Sequence, residues 1–418
     1  MHPVSCTPLA PAYAFSAFFP ASRRSRTANA GLIIGLAALL VFTAVFACPV
    51  SATAASPLPA ADKTKPQDAG KTRTAADCLE LATDKWQAGE YEEARTLCTE
   101  GLSLNPDKLL RAKLTHRLAS IYYDTGNRDL AVKTYQEAAG MDPDLSWPYV
   151  GLGNAYEDEQ KYDLAESFYK KAIALEPGSA CTLRYLAGLY SDQEKYDLAE
   201  TFYRKAAALD PADPNPHCDL GDLYKHLKKY DLAEASYKKA IALDPADEGP
   251  HFGLGTLYLL QKKFALAEAP LARAVQLDPQ DESAYVCLGH VLLVQEKFDR
   301  AEDAFQKAVL LDPRDAYALE NLGMAYWELK KYDLAESSLL KAIELAPQSA
   351  HAYNALGRTY ESQGKFRRAE ECFQKAVQLD PKFLQPRKSL ARLYERQGRH
   401  EEAEWESALI LGLEKKAR

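Results

Sequence analysis

The groups in this chain able to do chemistry are few and scattered. Cys78 and Cys98 stand twenty residues apart, a pair that could form a disulfide if the chain between them reverses direction. Cys218, Asp219, Asp222 and His226 place metal-capable groups at helical spacing, but no second cluster supplies the remaining ligands, so they read as a polar stripe. Gly-Leu-Gly at 151 and again at 253 has the look of part of a nucleotide loop, which requires a preceding strand that neither copy has. Walker loops, nucleophile elbows and paired zinc motifs are absent. The sequence therefore assigns no catalytic, cofactor-binding or metal-binding residue, and reads as a non-enzymatic chain.

The elements that carry these residues follow from a period. Pro143, Pro177, Pro211, Pro245, Pro279, Pro313, Pro347 and Pro381 lie 34 residues apart, which marks a stack of like supersecondary units. Aligned on them, each unit has Leu at its seventh position (Leu152, Leu186, Leu220), Gly or Ala at the eighth and Ala at the twentieth. Apolar positions 4, 7, 8 and 11, then 20, 24 and 27, give two amphipathic helices separated by a polar turn. Small residues at the eighth and twentieth positions let the two helices approach closely, while Tyr, Phe or Leu at the eleventh and twenty-fourth fill the gap to the next unit. The terminal Asp-Pro or Glu-Pro ends the second helix, because the residue before proline is pushed out of the α region. Pro270 falls inside a second helix, where its missing N–H predicts a bend. In such an antiparallel hairpin the eighth position faces the twentieth, and the fourth faces the twenty-fourth. In the first unit that facing pair is Cys78 and Cys98, which predicts a disulfide in an oxidising compartment.

Leu-Gly, Tyr, Ala, Phe or Tyr, Ala and Pro across 34 residues, with Lys-Tyr-Asp-Leu-Ala-Glu recurring at 161, 195, 229 and 331, resembles the tetratricopeptide repeat. The resemblance covers ten units from about Ala75 to Arg418 and implies an all-α fold, a right-handed superhelical solenoid of helical hairpins. The tenth unit lacks the terminal proline, carries Ser407 and Ile410 where an aromatic and Ala belong, and reads as a cap with a polar outer face.

The resemblance further implies that the first helix of each unit lines a concave, protein-binding groove. Its second, fifth, ninth and twelfth positions bring Phe252, Leu259, Val286, Leu293, Tyr317, Met324 and Trp327 to that face in units six to eight. Arg358 and Arg392 follow in units nine and ten, with Lys388 and Arg396, while units three to five supply Glu157, Asp158, Asp192, Asp219 and Asp222. These define a graded candidate site for a partner segment. Packing against neighbouring helices is the alternative fate of the apolar members. The Lys and Asn set by which one subclass of the family clamps C-terminal carboxylates does not occur in three consecutive units.

Formal net charge is −8, and because residues 1–48 hold Arg23, Arg24 and Arg26 and no acid, the remainder carries −11. Such a surface argues against nucleic acid as partner. Residues 1–54 read as an export signal or membrane anchor, with an apolar run at 31–48 followed by small-residue cleavage sites, and 55–74 as a flexible linker before the array at 75–418. Cys48 also suits a lipoprotein box less closely, since Phe46 is bulky for it. All three readings place the repeats outside the cytoplasm, in the periplasm or envelope, with membrane contact only through the N-terminal segment. The expected function is a protein-binding scaffold without a cofactor. Self-association into a structural lattice, or recruitment of substrate for a separate enzyme such as a glycosyltransferase, are the competing readings.

Overall fold

The computed structural model describes residues 73–416, and the candidate export segment lies outside them. Twenty helices and no strands occur among the described residues. Two compact units divide the chain, the first ending at Leu223 and the second beginning at Tyr224.

The first unit contains α1 (Ala75–Gln87), α2 (Tyr91–Ser103), α3 (Lys108–Asp124), α4 (Arg128–Met141), α5 (Trp147–Asp158), α6 (Tyr162–Leu175), α7 (Ala180–Asp192) and α8 (Tyr196–Leu209). The boundary falls within α9 (Asn215–His226). The second unit continues with α10 (Tyr230–Leu243), α11 (Glu248–Leu260), α12 (Phe264–Leu277), α13 (Glu282–Val294), α14 (Phe298–Leu311), α15 (Ala316–Glu328), α16 (Tyr332–Leu345), α17 (Ala350–Ser362), α18 (Phe366–Leu379), α19 (Leu384–Arg396) and α20 (His400–Lys416). Each 34-residue repeat is thus a pair of helices of about equal length, as the periodicity predicts.

Local chemistry sets the ends. Asp281, Asp315 and Ser349 accept backbone N–H groups at the starts of α13, α15 and α17, satisfying donors that a helix leaves open. Between paired helices one residue turns left-handed, glycine at Gly89, Gly126, Gly364 and Gly398, but Gln160, Glu194, Lys228, Lys262, Glu296 and Lys330 in the repeats between. Pro270 sits inside α12 without ending it, and the helix is as long as its counterpart α8. Ala267, Leu271 and Ala274 are buried on either side of the proline and hold the helix in place, while Leu266, whose carbonyl loses its donor, is exposed.

The core is a row of knobs in notches. Phe305, Leu339 and Phe373 from second helices are fully buried, each against the small eighth residue of its own repeat. Ion pairs then tie one repeat to the next. In repeats six to nine the glutamate at position 21 meets a cation of the following repeat, as Glu268 with Lys297 (2.6 Å), Glu302 with Lys331 (2.6 Å), Glu336 with Lys365 (2.8 Å) and Glu370 with Arg399 (2.8 Å). First helices also touch the first helices of neighbouring repeats, α15 with α17 and α17 with α19, which places them on the inner side of the stack.

Candidate functional site

All nine residues expected to bind a partner lie in the second unit, on first helices from α11 to α19. The structure separates them by accessibility. Leu259 is 2% exposed, Val286 8% and Met324 9%, so these three are packing residues rather than open anchors. Their positions face the next hairpin: Val286 packs with Ala308 and Ala318, and Met324 joins the cluster of Leu356 and Phe373. Phe252, Leu293, Tyr317 and Trp327 keep part of their surface open, Arg358 is half-buried, and Arg392 is exposed.

Trp327 is the most constrained of these. Its indole N–H donates to Ser362 Oγ at 3.0 Å and to the Arg358 carbonyl at 3.3 Å, and the Arg358 guanidinium lies 3.9 Å from the ring centroid. A cation over an indole face is attracted by the ring quadrupole, so the stack joins α15 to α17. The same arginine approaches Glu328 at 4.0 Å.

The expected charge gradient is largely spent on contacts within and between repeats. At the C-terminal end Glu361 receives both Arg392 (2.8 Å) and Arg396 (3.0 Å), and Lys388 meets Glu414 at 3.3 Å. In the first unit Glu157 is buried and accepts from the Tyr169 hydroxyl at 2.5 Å, while Asp158 accepts from Tyr123 at 2.6 Å and pairs with Arg128 at 2.9 Å. Asp219 lies 3.3 Å from Arg184. The acidic and basic ends read from sequence are therefore weaker as fields than their residue counts imply, because opposite charges on neighbouring helices stand close enough to pair.

Sequence reasoning missed a set of buried polar groups on the same helices. Glu320 and Asn354 occupy fifth positions and Asn321 and Ser389 sixth positions, all buried. Burial pushes the Glu320 carboxyl up to about 7, opposed by a hydrogen bond from Ser349 Oγ at 2.9 Å. Asn354 Oδ1 and Ser389 Oγ have no hydrogen-bond partner among the described residues. Glu282 at the start of α13 is raised by burial and by the neighbouring Asp315 carboxylate, and burial lowers His290 to about 4. No clear signal in the sequence marks the fifth- and sixth-position members, because other repeats also place polar residues in this register, as Arg184 and Lys388 at the fifth position and Arg117 and Asp219 at the sixth.

In α1 and α2, Cys78 and Cys98 are both fully buried, and both are free thiols rather than the expected disulfide. Burial raises both, Cys98 to about 12. The hairpin packs the two side chains into its core without a covalent link, which leaves its closure to apolar contacts with Ala82, Ala94 and Ile121.

Models of the tetratricopeptide repeat match residues 112–145, 144–212, 214–247, 281–348, 314–382 and 354–412, together more than half of the chain. The chain belongs to the tetratricopeptide repeat family. Members of this family serve as protein–protein interaction modules, and the successive hairpins described above are its repeat unit. No curated protein matches the chain. Among solved structures it is similar to YrrB, described as a tetratricopeptide repeat protein with an unusual peptide-binding site, at 24% identity over 45% of this chain and 96% of that one, with a TM-score of 0.42. It is also similar to MamA, at 29% identity over 41% of this chain and 93% of that one, with a TM-score of 0.39. MamA from residue 41 of Desulfovibrio magneticus RS-1 matches at 24% identity over 40% and 96%, with a TM-score of 0.37.

Proposed function

We propose that this tetratricopeptide repeat protein is a non-enzymatic scaffold, exported to the cell envelope, that holds a segment of a partner protein against the first helices of its second unit. The observation that carries this reading is the row of partly open apolar side chains, Phe252, Leu293, Tyr317 and Trp327, on successive first helices. A run of such groups on the inner side of a stack offers anchors that gain most when desolvated by a partner. Arg392, exposed on α19 two repeats further along, adds a cation toward the C-terminal end, although Glu361 already neutralises part of its charge. The envelope part rests on the Arg cluster, the apolar run at 31–48 and the small residues after it.

The test is affinity capture of the full chain from envelope and cytosolic fractions, followed by calorimetric titration of the captured protein. Phe252→Ala and Tyr317→Ala are expected to weaken binding about thirtyfold, as central aromatics do. Leu232→Ala, on the outer helix α10, is expected to leave it unchanged. If the outer substitution weakens binding and the inner ones do not, the partner uses another face. Recovery of the tagged chain in the cytosol with residues 1–54 intact would overturn the export reading.

A further inference from the structure

The second helix of the last repeat carries, on the side away from its own hairpin, the contact pattern by which earlier repeats receive their successors. Position 21 holds Glu404, in register with Glu268, Glu302, Glu336 and Glu370, each of which pairs with a cation of the next repeat. Position 28 holds Leu411, in register with Ile343 and Val377, which are packed into the core cluster of repeats eight to ten. On α20 these groups are exposed, Leu411 at 59%, with Ala408 open between them and Trp405 beside them at 66%. The inner side of α20 is already engaged: Ala403 is buried, Glu406 pairs with Arg387 at 2.8 Å, and Glu414 with Lys388 at 3.3 Å. The outer face is therefore not the polar surface expected of a cap.

Its pattern is self-complementary. Glu404, Ala408, Leu411 and Lys415 recur at spacings of four, three and four, a single stripe along the helix. Run antiparallel against a copy of itself, the stripe sets Glu404 opposite Lys415 and Ala408 opposite Leu411, and each pairing is repeated by the symmetry. Neither Glu404 nor Lys415 has an ion-pair partner among the described residues. A head-to-tail contact with α1 of another copy is disfavoured, because α1 exposes Asp77, Glu80 and Asp84 at the positions a preceding repeat would cover, like in sign to Glu404. We propose that the outer face of α20 docks a second copy of this chain, forming a closed two-fold dimer through antiparallel α20 helices. The contact is independent of the partner-binding face proposed above.

One helix per subunit buries less than a standard interface, so the dimer is expected to form in the micromolar range. Analytical ultracentrifugation of the full chain over concentration tests it. A monomer–dimer equilibrium is expected, weakened at least about tenfold by Leu411→Glu and by Glu404→Lys or Lys415→Glu alone. The doubly exchanged Glu404→Lys, Lys415→Glu protein is expected to dimerise again, which a variant that merely unfolds cannot do. A protein that stays monomeric to about 1 mM, that associates without limit, or whose dimer ignores these substitutions overturns the proposal.

Discussion

The guanidinium of Arg358 lies 3.9 Å from the ring centroid of Trp327, on the next first helix along the stack. The same indole donates to Ser362 Oγ and to the Arg358 carbonyl, so one side chain fastens α15 to α17 through its face and its edge. Trp327 is thus a structural residue as well as a candidate anchor. Trp327→Ala is expected to destabilise the second unit by about 2–3 kcal/mol, less than for a fully buried aromatic because part of the ring is open. Trp327→Phe, which keeps a ring but loses the N–H, should cost only about 1 kcal/mol. Urea unfolding followed by circular dichroism reads both. An unchanged midpoint for Trp327→Ala would show that the junction does not depend on the stack.

Gly357 gives a prediction that runs against helix propensity. Alanine in mid-helix normally gains about 1 kcal/mol over glycine. Here a Cβ would stand 2.5 Å from Cε1 of Phe373, whose ring is fully buried. Gly357→Ala should therefore destabilise by about 1–3 kcal/mol through overpacking, and Gly357→Ala, Phe373→Leu should not recover it, because a Cβ at Gly323 would stand equally close, 2.6 Å, to Cγ of Leu339. Denaturant titration of the single and double variants measures this, and a stabilised single variant would contradict the packing described.

The repeat, its helices and their small-residue notches were legible because sterics at the eighth and twentieth positions recur every 34 residues and leave a period in the sequence. Accessibility was not legible in the same way. Leu259 and Leu293 occupy the same twelfth position, yet one is buried and the other partly open. Charge was not legible either: Asp158 and Glu361 look like groove charges in isolation but are bound by arginines from other helices. Cys78 and Cys98 are both buried in the first hairpin, but burial in one hairpin does not decide whether a bond forms.

Lys330 occupies a left-handed turn conformation with φ of 60°, where repeats nine and ten use Gly364 and Gly398. A side chain there costs about 1 kcal/mol from the clash between Cβ and the following carbonyl. Lys330→Gly is expected to stabilise the second unit by up to about 1 kcal/mol, partly offset by the greater freedom of glycine in the unfolded chain. Thermal unfolding of the two proteins side by side provides the measurement, and a lower melting temperature for the variant would go against it.

Buried thiols whose ionisation is suppressed are poor nucleophiles. Burial raises Cys98 to about 12 and raises Cys78 as well, so neither forms appreciable thiolate near neutral pH. Iodoacetamide at pH 8 should leave both unmodified while the first hairpin is closed and label them once urea opens it. Peptide mass spectrometry follows each cysteine, and rapid labelling in the folded protein would show that the α1–α2 hairpin opens locally.

Glu320 links stability to pH with a definite sign. Burial raises its carboxyl from the ordinary 4.5 to about 7 in the folded protein, with the Ser349 hydroxyl acting the other way. Between those two values the folded state binds more protons than the unfolded one, so stability falls as pH rises. The full contribution is present below about 4.5, is lost through about 7, and changes little above that. Its size is on the order of 3 kcal/mol as an upper value, at about 1.4 kcal/mol for each unit of displacement. Glu282, raised by burial and by Asp315, acts in the same direction. Glu320→Gln keeps the shape and a partner for Ser349 but cannot ionise. Urea midpoints measured between pH 5 and pH 8 should therefore fall more for the unaltered chain than for the variant. Parallel curves for the two proteins would show that Glu320 titrates as a solvated carboxylate and is not held in the buried site between α15 and the start of α17.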